Sequence, residues 1–250
     1  AEPQSRFDLD DVITSARKDG KNFILNGKKS MVQNAETANQ IVVVARTSGG
    51  QVDQQGITLF LIDEDSSGLV KENFPTVDGL RASEITLDNV EVSEERVLGK
   101  VDEGFKILQA VANDAILALS AEAVGSMEIL YKDTVEYTQQ REQFDHPLSE
   151  FQVLQHRMVD MFMEYEQCKS LLYMATMKHD EAAPDAKKAI SGLKYQVGNA
   201  SKFIGQQAVQ LHGGMGVTDE LNVGHYFKRL TTIGTIFGNS DHHLKRYTAI

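Results

Sequence analysis

The sequence predicts an α+β fold, an antiparallel β-barrel domain over residues 1–100 followed by a four-helix bundle over residues 101–250. Two observations carry this reading. Up to about residue 100 the chain holds short apolar runs broken by turn residues, and from Gly104 the apolar spacing becomes three and four residues. The length of 250 residues leaves room for two cores.

Each element has its own signal. Phe23-Ile24-Leu25 leads into Asn26-Gly27, a hairpin-turn pair, and then into Lys29-Ser30-Met31-Val32. Ile41-Val42-Val43-Val44-Ala45 is continuously apolar, the pattern of a strand buried on both faces, and Gly49-Gly50 closes it. Ile57-Thr58-Leu59-Phe60-Leu61-Ile62 gives another strand, and Ile85-Thr86-Leu87 with Val90 and Val92 one more. Short strands at this spacing predict a small barrel or sandwich.

After Gly104, the positions Phe105, Leu108, Val111, Ala112, Ala115, Ile116 and Leu119 line one face of a long helix reaching about residue 140. Phe151, Leu154, Met158, Met161, Phe162, Tyr165 and Leu172 mark a second helix beyond Pro147. Pro184-Asp185 opens a third, through Ala189, Leu193, Val197 and Ile204 to about Leu211, where Gly213-Gly214-Met215-Gly216 ends it. Shorter helical segments at 220–229 and 241–247 complete a bundle with short connections.

Composition narrows the function. Apolar residues are 41% and charged residues 24%, an ordinary globular balance, while the formal net charge of −11 opposes a nucleic-acid or anionic-membrane partner. No run approaches 18 consecutive apolar residues, and the N-terminal segment lacks the regions of a signal peptide. The sequence starts at Ala1 without an initiator Met, which points to a start inside a longer gene product. The single cysteine, Cys168, lies on an apolar helix stripe and reads as a core thiol. Asp241-His242-His243 lacks the spacing of a metal site, since adjacent helical side chains diverge and no second ligand pair follows. The Gly213–Gly216 run fits either a helix cap or a phosphate cradle, and Arg141 fits either the end of a long helix or an anion contact.

The order of the segments adds what single motifs lack. Arg141-Glu142-Gln143-Phe144-Asp145-His146-Pro147-Leu148, followed by Gln152, resembles the R-x-x-F-G-x-x-L-x-x-x-Q segment of the acyl-CoA dehydrogenase family. Gln210-Leu211-His212-Gly213-Gly214-Met215-Gly216 resembles that family's Q-x-x-G-G-x-G. Gly104-Phe105-Lys106, the Asn26-Gly27…Lys29…Asn34 strand pair and Glu2-Pro3…Ser5 complete five matches in order. The resemblance implies a middle β domain and a C-terminal four-helix bundle, with the family's N-terminal helical domain not in this sequence.

It also implies FAD-dependent α,β-dehydrogenation of an acyl-CoA, in which a carboxylate removes the α-proton and flavin takes the β-hydride. By position, Arg141, Phe144, Gln152, Gln210, Gly213 and Gly214 would reach FAD across a subunit interface. Further implications are an electron-transfer flavoprotein or similar acceptor, a homo-oligomer or a paralogous partner subunit, and a cytoplasmic location. Departures from the pattern are specific. Asp145 replaces a glycine, Met31 the flavin-flanking tryptophan, and Gln33 the threonine that follows it. Asn113 and Ile116 stand at the CoA-binding D-x-x-R, and Gly238 at the position of the usual glutamate base. Ser240 and His242 replace the Thr and Gln that contact FAD, and Asp241 is the nearest carboxylate to the base position. These departures resemble the smaller partners of bacterial two-gene dehydrogenases, such as the pimeloyl-CoA and steroid side-chain types. They leave two expectations, a dehydrogenase acting through Asp241 or a non-catalytic subunit that completes a partner's FAD site.

Overall fold

The computed structural model describes residues 1–249 and divides into two compact units, Ala1–Ala112 and the chain from Asn113 onward. The first unit is built on seven strands: β1 Ser15–Asp19, β2 Asn22–Gln33, β3 Gln40–Arg46, β4 Ile57–Asp63, β5 Leu69–Pro75, β6 Arg81–Ser93 and β7 Val97–Leu98. They form one sheet in the order β5-β6-β2-β1-β3-β4-β7. All pairings are antiparallel except β1 with β3, which meet in parallel at Ser15 and Arg46. The sheet is therefore mixed, and its ladder does not close into the all-antiparallel barrel that the strand spacing predicts. The chain leaves β2 and crosses over β1 before re-entering as β3, so β1 and β3 run the same way. The sheet still curls around one core: Phe23 of β2 and Phe60 of β4, three places apart in the ladder, meet edge to face at 5.1 Å.

Two strand readings are corrected. The hairpin turn joining β1 and β2 lies at Gly20 (φ +60°), and Asn26-Gly27 sits inside β2 as a bulge where the register with β6 shifts. Gly27 is needed there because a Cβ would lie 2.5 Å from Thr14 Oγ1. β3 is buried on one face only, with Ile41, Val43 and Ala45 inside and Val42 outside. The strand covered on both faces is β4, where Ile57, Thr58, Leu59 and Phe60 are all buried.

Two polar clusters fix the segments without strands. Glu2 is buried, and its carboxylate accepts from Lys29 Nζ at 2.5 Å, Ile13 N at 2.8 Å and Thr14 N at 3.1 Å. Arg46 at the end of β3 donates to the carbonyls of Asp10, Val12, Ser48, Gln51, Asp53 and Gln55, all within 3.3 Å.

The second unit is helical, with α1 Gly104–Gln140, whose residues up to Ala112 belong to the first unit, α2 Gln152–Asp180, α3 Ala186–His212, α4 Asn222–Ile233 and α5 Ser240–Ala249. Three long helices and two short ones are the segments that the apolar spacing predicts. A two-stranded hairpin, β8 Glu142–Gln143 and β9 His146–Pro147, joins α1 to α2. The core holds Ile116, Met127 and Leu130 of α1, Met161 and Tyr165 of α2, and Ile190, Leu193, Val197 and Ile204 of α3. Glycines inside α3 let the short helices come close. A Cβ at Gly205 would meet the Phe227 ring of α4 at 2.7 Å, and one at Gly198 would meet Ser240 Oγ of α5 at 2.4 Å. Among the described residues α1 is long and apolar enough to cross a membrane by length and composition. Its apolar side chains form part of this protein core.

Candidate functional site

One end of the helical unit gathers six of the residues singled out by sequence. Arg141 follows the last turn of α1: its N–H donates to the Tyr137 carbonyl, and its own carbonyl accepts from Leu148 N at 2.8 Å. The side chain is exposed. Between β8 and β9 the chain reverses on Phe144 (φ +58°) and Asp145 (φ +63°), two consecutive left-handed residues as a two-residue hairpin turn requires. This explains how an aspartate can stand at the expected glycine, since Asp is among the residues that best tolerate this backbone. Phe144 is 86% exposed, and its ring meets Phe151 edge to face at 6.3 Å. Gln152, exposed, begins α2 directly after Phe151.

α3 ends at the same place. The Tyr137 hydroxyl donates to the His212 carbonyl at 3.3 Å, and the two rings stack with centroids 4.3 Å apart. His212 is buried, its Nδ1 lies 2.8 Å from the Ala208 carbonyl, and burial lowers its pKa against the pull of that contact. Gly213 (φ +59°, ψ −137°) then turns the chain in a conformation open to glycine, with its N–H donated to the Gln210 carbonyl. A Cβ at Gly213 or Gly214 would meet nothing within 4 Å, whereas one at Gly216 would lie 2.5 Å from the Val209 carbonyl oxygen. Gly216 is thus a packing glycine, and Gly213 and Gly214 leave open space against their backbone. Tyr137 and His212 are positioning residues that sequence reasoning passed over, and their only signal is adjacency to Arg141 and to the glycines.

The remaining candidates lie elsewhere. Ser240 donates to the Tyr195 carbonyl of α3 at 3.3 Å and stands beside Gly198, about 22 Å along α3 from Gly213. Asn239 caps α5, its Oδ1 accepting from His242 N at 2.9 Å. That makes Asp241 an exposed first-turn carboxylate, where helix amides favour a negative charge. Gly238 is buried at φ +112°, and a Cβ there would lie 2.7 Å from both His242 Cδ2 and His243 Nε2. Asn113 is buried and accepts from Arg246 Nη2 at 3.2 Å, while Ile116 is a core residue. Met31 and Gln33 are both exposed on β2.

Comparison with known proteins decides the family. Residues 1–90 match the acyl-CoA dehydrogenase middle domain, and residues 102–249 match the acyl-CoA dehydrogenase C-terminal domain. The chain belongs to the acyl-CoA dehydrogenase family. It is 32% identical over 227 residues to the bovine mitochondrial short/branched chain specific acyl-CoA dehydrogenase, covering 90% of this chain and 52% of that protein. It is 29% identical over 243 residues to a 3-(aryl)acrylate reductase of Clostridium sporogenes, covering 96% and 64%. Butyryl-CoA dehydrogenase from Megasphaera elsdenii superimposes with a TM-score of 0.92 at 26% identity, over 100% of this chain and 66% of its own. A structure of PigA with FAD and proline gives 0.93 at 28% identity, over 100% and 65%. The chain therefore spans between half and two thirds of the length of these relatives and matches the family's middle and C-terminal domains.

The acyl-CoA dehydrogenase family is FAD-dependent, and the Arg141 end suits the phosphate-bearing part of that cofactor. It combines an exposed guanidinium, an exposed aromatic ring and two glycines whose backbone can be approached closely.

Proposed function

We propose that this chain is a subunit of an FAD-dependent acyl-CoA dehydrogenase, whose Arg141 end completes an FAD site shared with a second chain. The observation that supports it is a contrast within the helical unit. The Arg141–Phe144 hairpin and the Gly213-Gly214 turn keep an open, outward-facing arrangement, while Gly238 at the base position has no room for a carboxylate side chain.

When bound, FAD supplies the acceptor for the two electrons removed from an acyl-CoA thioester. Arg141 would place a charge-assisted hydrogen-bond fork on the pyrophosphate, and the Gly213 and Gly214 backbone would close on the same group. Phe144 would present its ring to the adenine, with Gln152 and Gln210 as amide donors. The second chain, a further copy or a paralogous subunit of the two-gene type, would carry the carboxylate that takes the α-proton. An electron-transfer flavoprotein or similar carrier would then reoxidise the assembly.

Reconstitution with and without the neighbouring gene's product, assayed with acyl-CoA and an artificial acceptor, tests this directly. Arg141→Ala should lower the FAD retained by the assembly by about tenfold without lowering the melting temperature of the FAD-free chain. Asp241→Asn should cost less than about threefold in rate. A loss of about 10² or more on Asp241→Asn with flavin content intact, or full turnover by this chain alone, would assign the base to this chain instead.

A further inference from the structure

α2 is apolar on two opposite faces. Its inner face puts Met158, Met161, Tyr165, Cys168 and Ala175 into the helical core, all of them buried. Its outer face carries Val159, Phe162, Met163, Tyr173, Met174 and Met177, each between 39% and 61% exposed. Positions 159, 163, 166, 170, 173 and 177 alternate steps of four and three residues, which keeps them on one stripe along the helix. At 1.5 Å per residue the stripe is about 27 Å long. An exposed apolar surface of that extent marks a place that another body covers. The formal net charge of −11 opposes an anionic membrane, which leaves a protein.

The order of side chains along the stripe says which protein. Reversing α2 about position 168 exchanges Val159 with Met177, Phe162-Met163 with Tyr173-Met174, and Glu166 with Ser170. Every large apolar side chain then meets another, and the one acid on the stripe meets a hydroxyl. The charges near the centre agree. Glu166 and Lys169 lie 3.7 Å apart on one helix. The same reversal sets Glu166 within one residue's rise, about 1.5 Å along the axis, of the partner subunit's Lys169. A parallel pairing in register would instead put Glu166 against Glu166 and Lys169 against Lys169. Toward the ends the reversal brings His156 opposite Asp180, both exposed.

We propose that the outer face of α2 is a homotypic interface, on which a second copy of this chain lays its own α2 antiparallel about a two-fold axis at position 168. The contact is isologous, with the same stripe serving both copies. It does not depend on the FAD reading, because none of the stripe residues belongs to the Arg141 end.

Sedimentation of the FAD-free full chain at about 10 micromolar should give a dimer or an even multiple of it. Met177→Glu should halve that mass and leave the helical circular dichroism unchanged, since the replaced side chain is 61% exposed. Cysteine pairing tests the geometry. Val159→Cys mixed with Met177→Cys under mild oxidation should give a disulfide-linked dimer. Neither variant should do so alone, because identical positions lie about 27 Å apart in the antiparallel pair. Cys168 is fully buried and stays out of the reaction. A monomer at that concentration, or an unchanged mass for Met177→Glu, would overturn the interface. No disulfide from the mixture, or one from Val159→Cys alone, would overturn the antiparallel axis. Pairing only with the neighbouring gene's product would overturn the choice of a second copy. All of these readouts are taken without flavin, so they stand apart from the outcome of the Arg141 test.

Discussion

Replacing Glu2 by glutamine should cost this protein about 3 kcal/mol at neutral pH, and the cost should shrink in acid. Burial alone would raise the Glu2 carboxyl, but the Lys29 ammonium at 2.5 Å and the donors at Thr14 and Ile13 outweigh it, and the pKa falls from 4.5 to about 2. Each tenfold change in proton affinity is worth about 1.4 kcal/mol, which gives the figure above. The sign follows from the depressed value. The stabilisation is complete above the unfolded-chain pKa near 4.5 and is lost as pH falls toward about 2. Glutamine keeps the shape and loses the charge, leaving Lys29 buried without its counter-ion. Urea denaturation of both proteins at a series of pH values measures the gap, of which more than half should be gone by about pH 3. A gap that stays constant from neutral pH to that point, or one below about 1 kcal/mol throughout, would refute the reasoning.

Two glycine substitutions at the end of α3 should part company. Gly216→Ala should destabilise by about 2 kcal/mol or more, because its Cβ would press on the Val209 backbone oxygen, whereas Gly214→Ala should stay within about 0.5 kcal/mol; thermal melts compare them. Gly214→Ala should still weaken FAD retention in the assembled enzyme, read from the flavin absorbance after gel filtration. Cys168 is fully buried, and burial with the nearby Glu164 charge pushes its thiol up to about 12. It should therefore resist thiol reagents at neutral pH until the chain unfolds, and rapid labelling of the native protein would contradict that environment.

The helices were legible because their apolar spacing repeats over many turns, and the 104–140 helix could be read to its last residue. The strands were less so. Asn26-Gly27 carries a turn signal, yet long-range pairing of β2 with β6 absorbs it as a bulge, and local sequence does not contain that partner. Val42 looks like core until the sheet shows which face is covered. At the Arg141 end the motif residues were visible as a string, but the Tyr137–His212 contact that unites them joins residues 75 positions apart.

Arg46 ties the amide carbonyls of two irregular segments, Asp10 to Val12 and Ser48 to Gln55, to a single guanidinium. The two segments also bond each other directly, Val12 N donating to the Gln51 carbonyl at 3.0 Å and Gln51 Nε2 to Asp11 Oδ1 at 2.8 Å, so their shapes are coupled. Opening one exposes the same planar group that fastens the other, and the two behave as one cooperative patch. Their amide protons should exchange with solvent at a common rate, although some forty residues of chain separate them. Lysine brings three donors in place of five and no flat fork, so at this position it would leave several of these carbonyls unpaired and raise the common exchange rate of the patch.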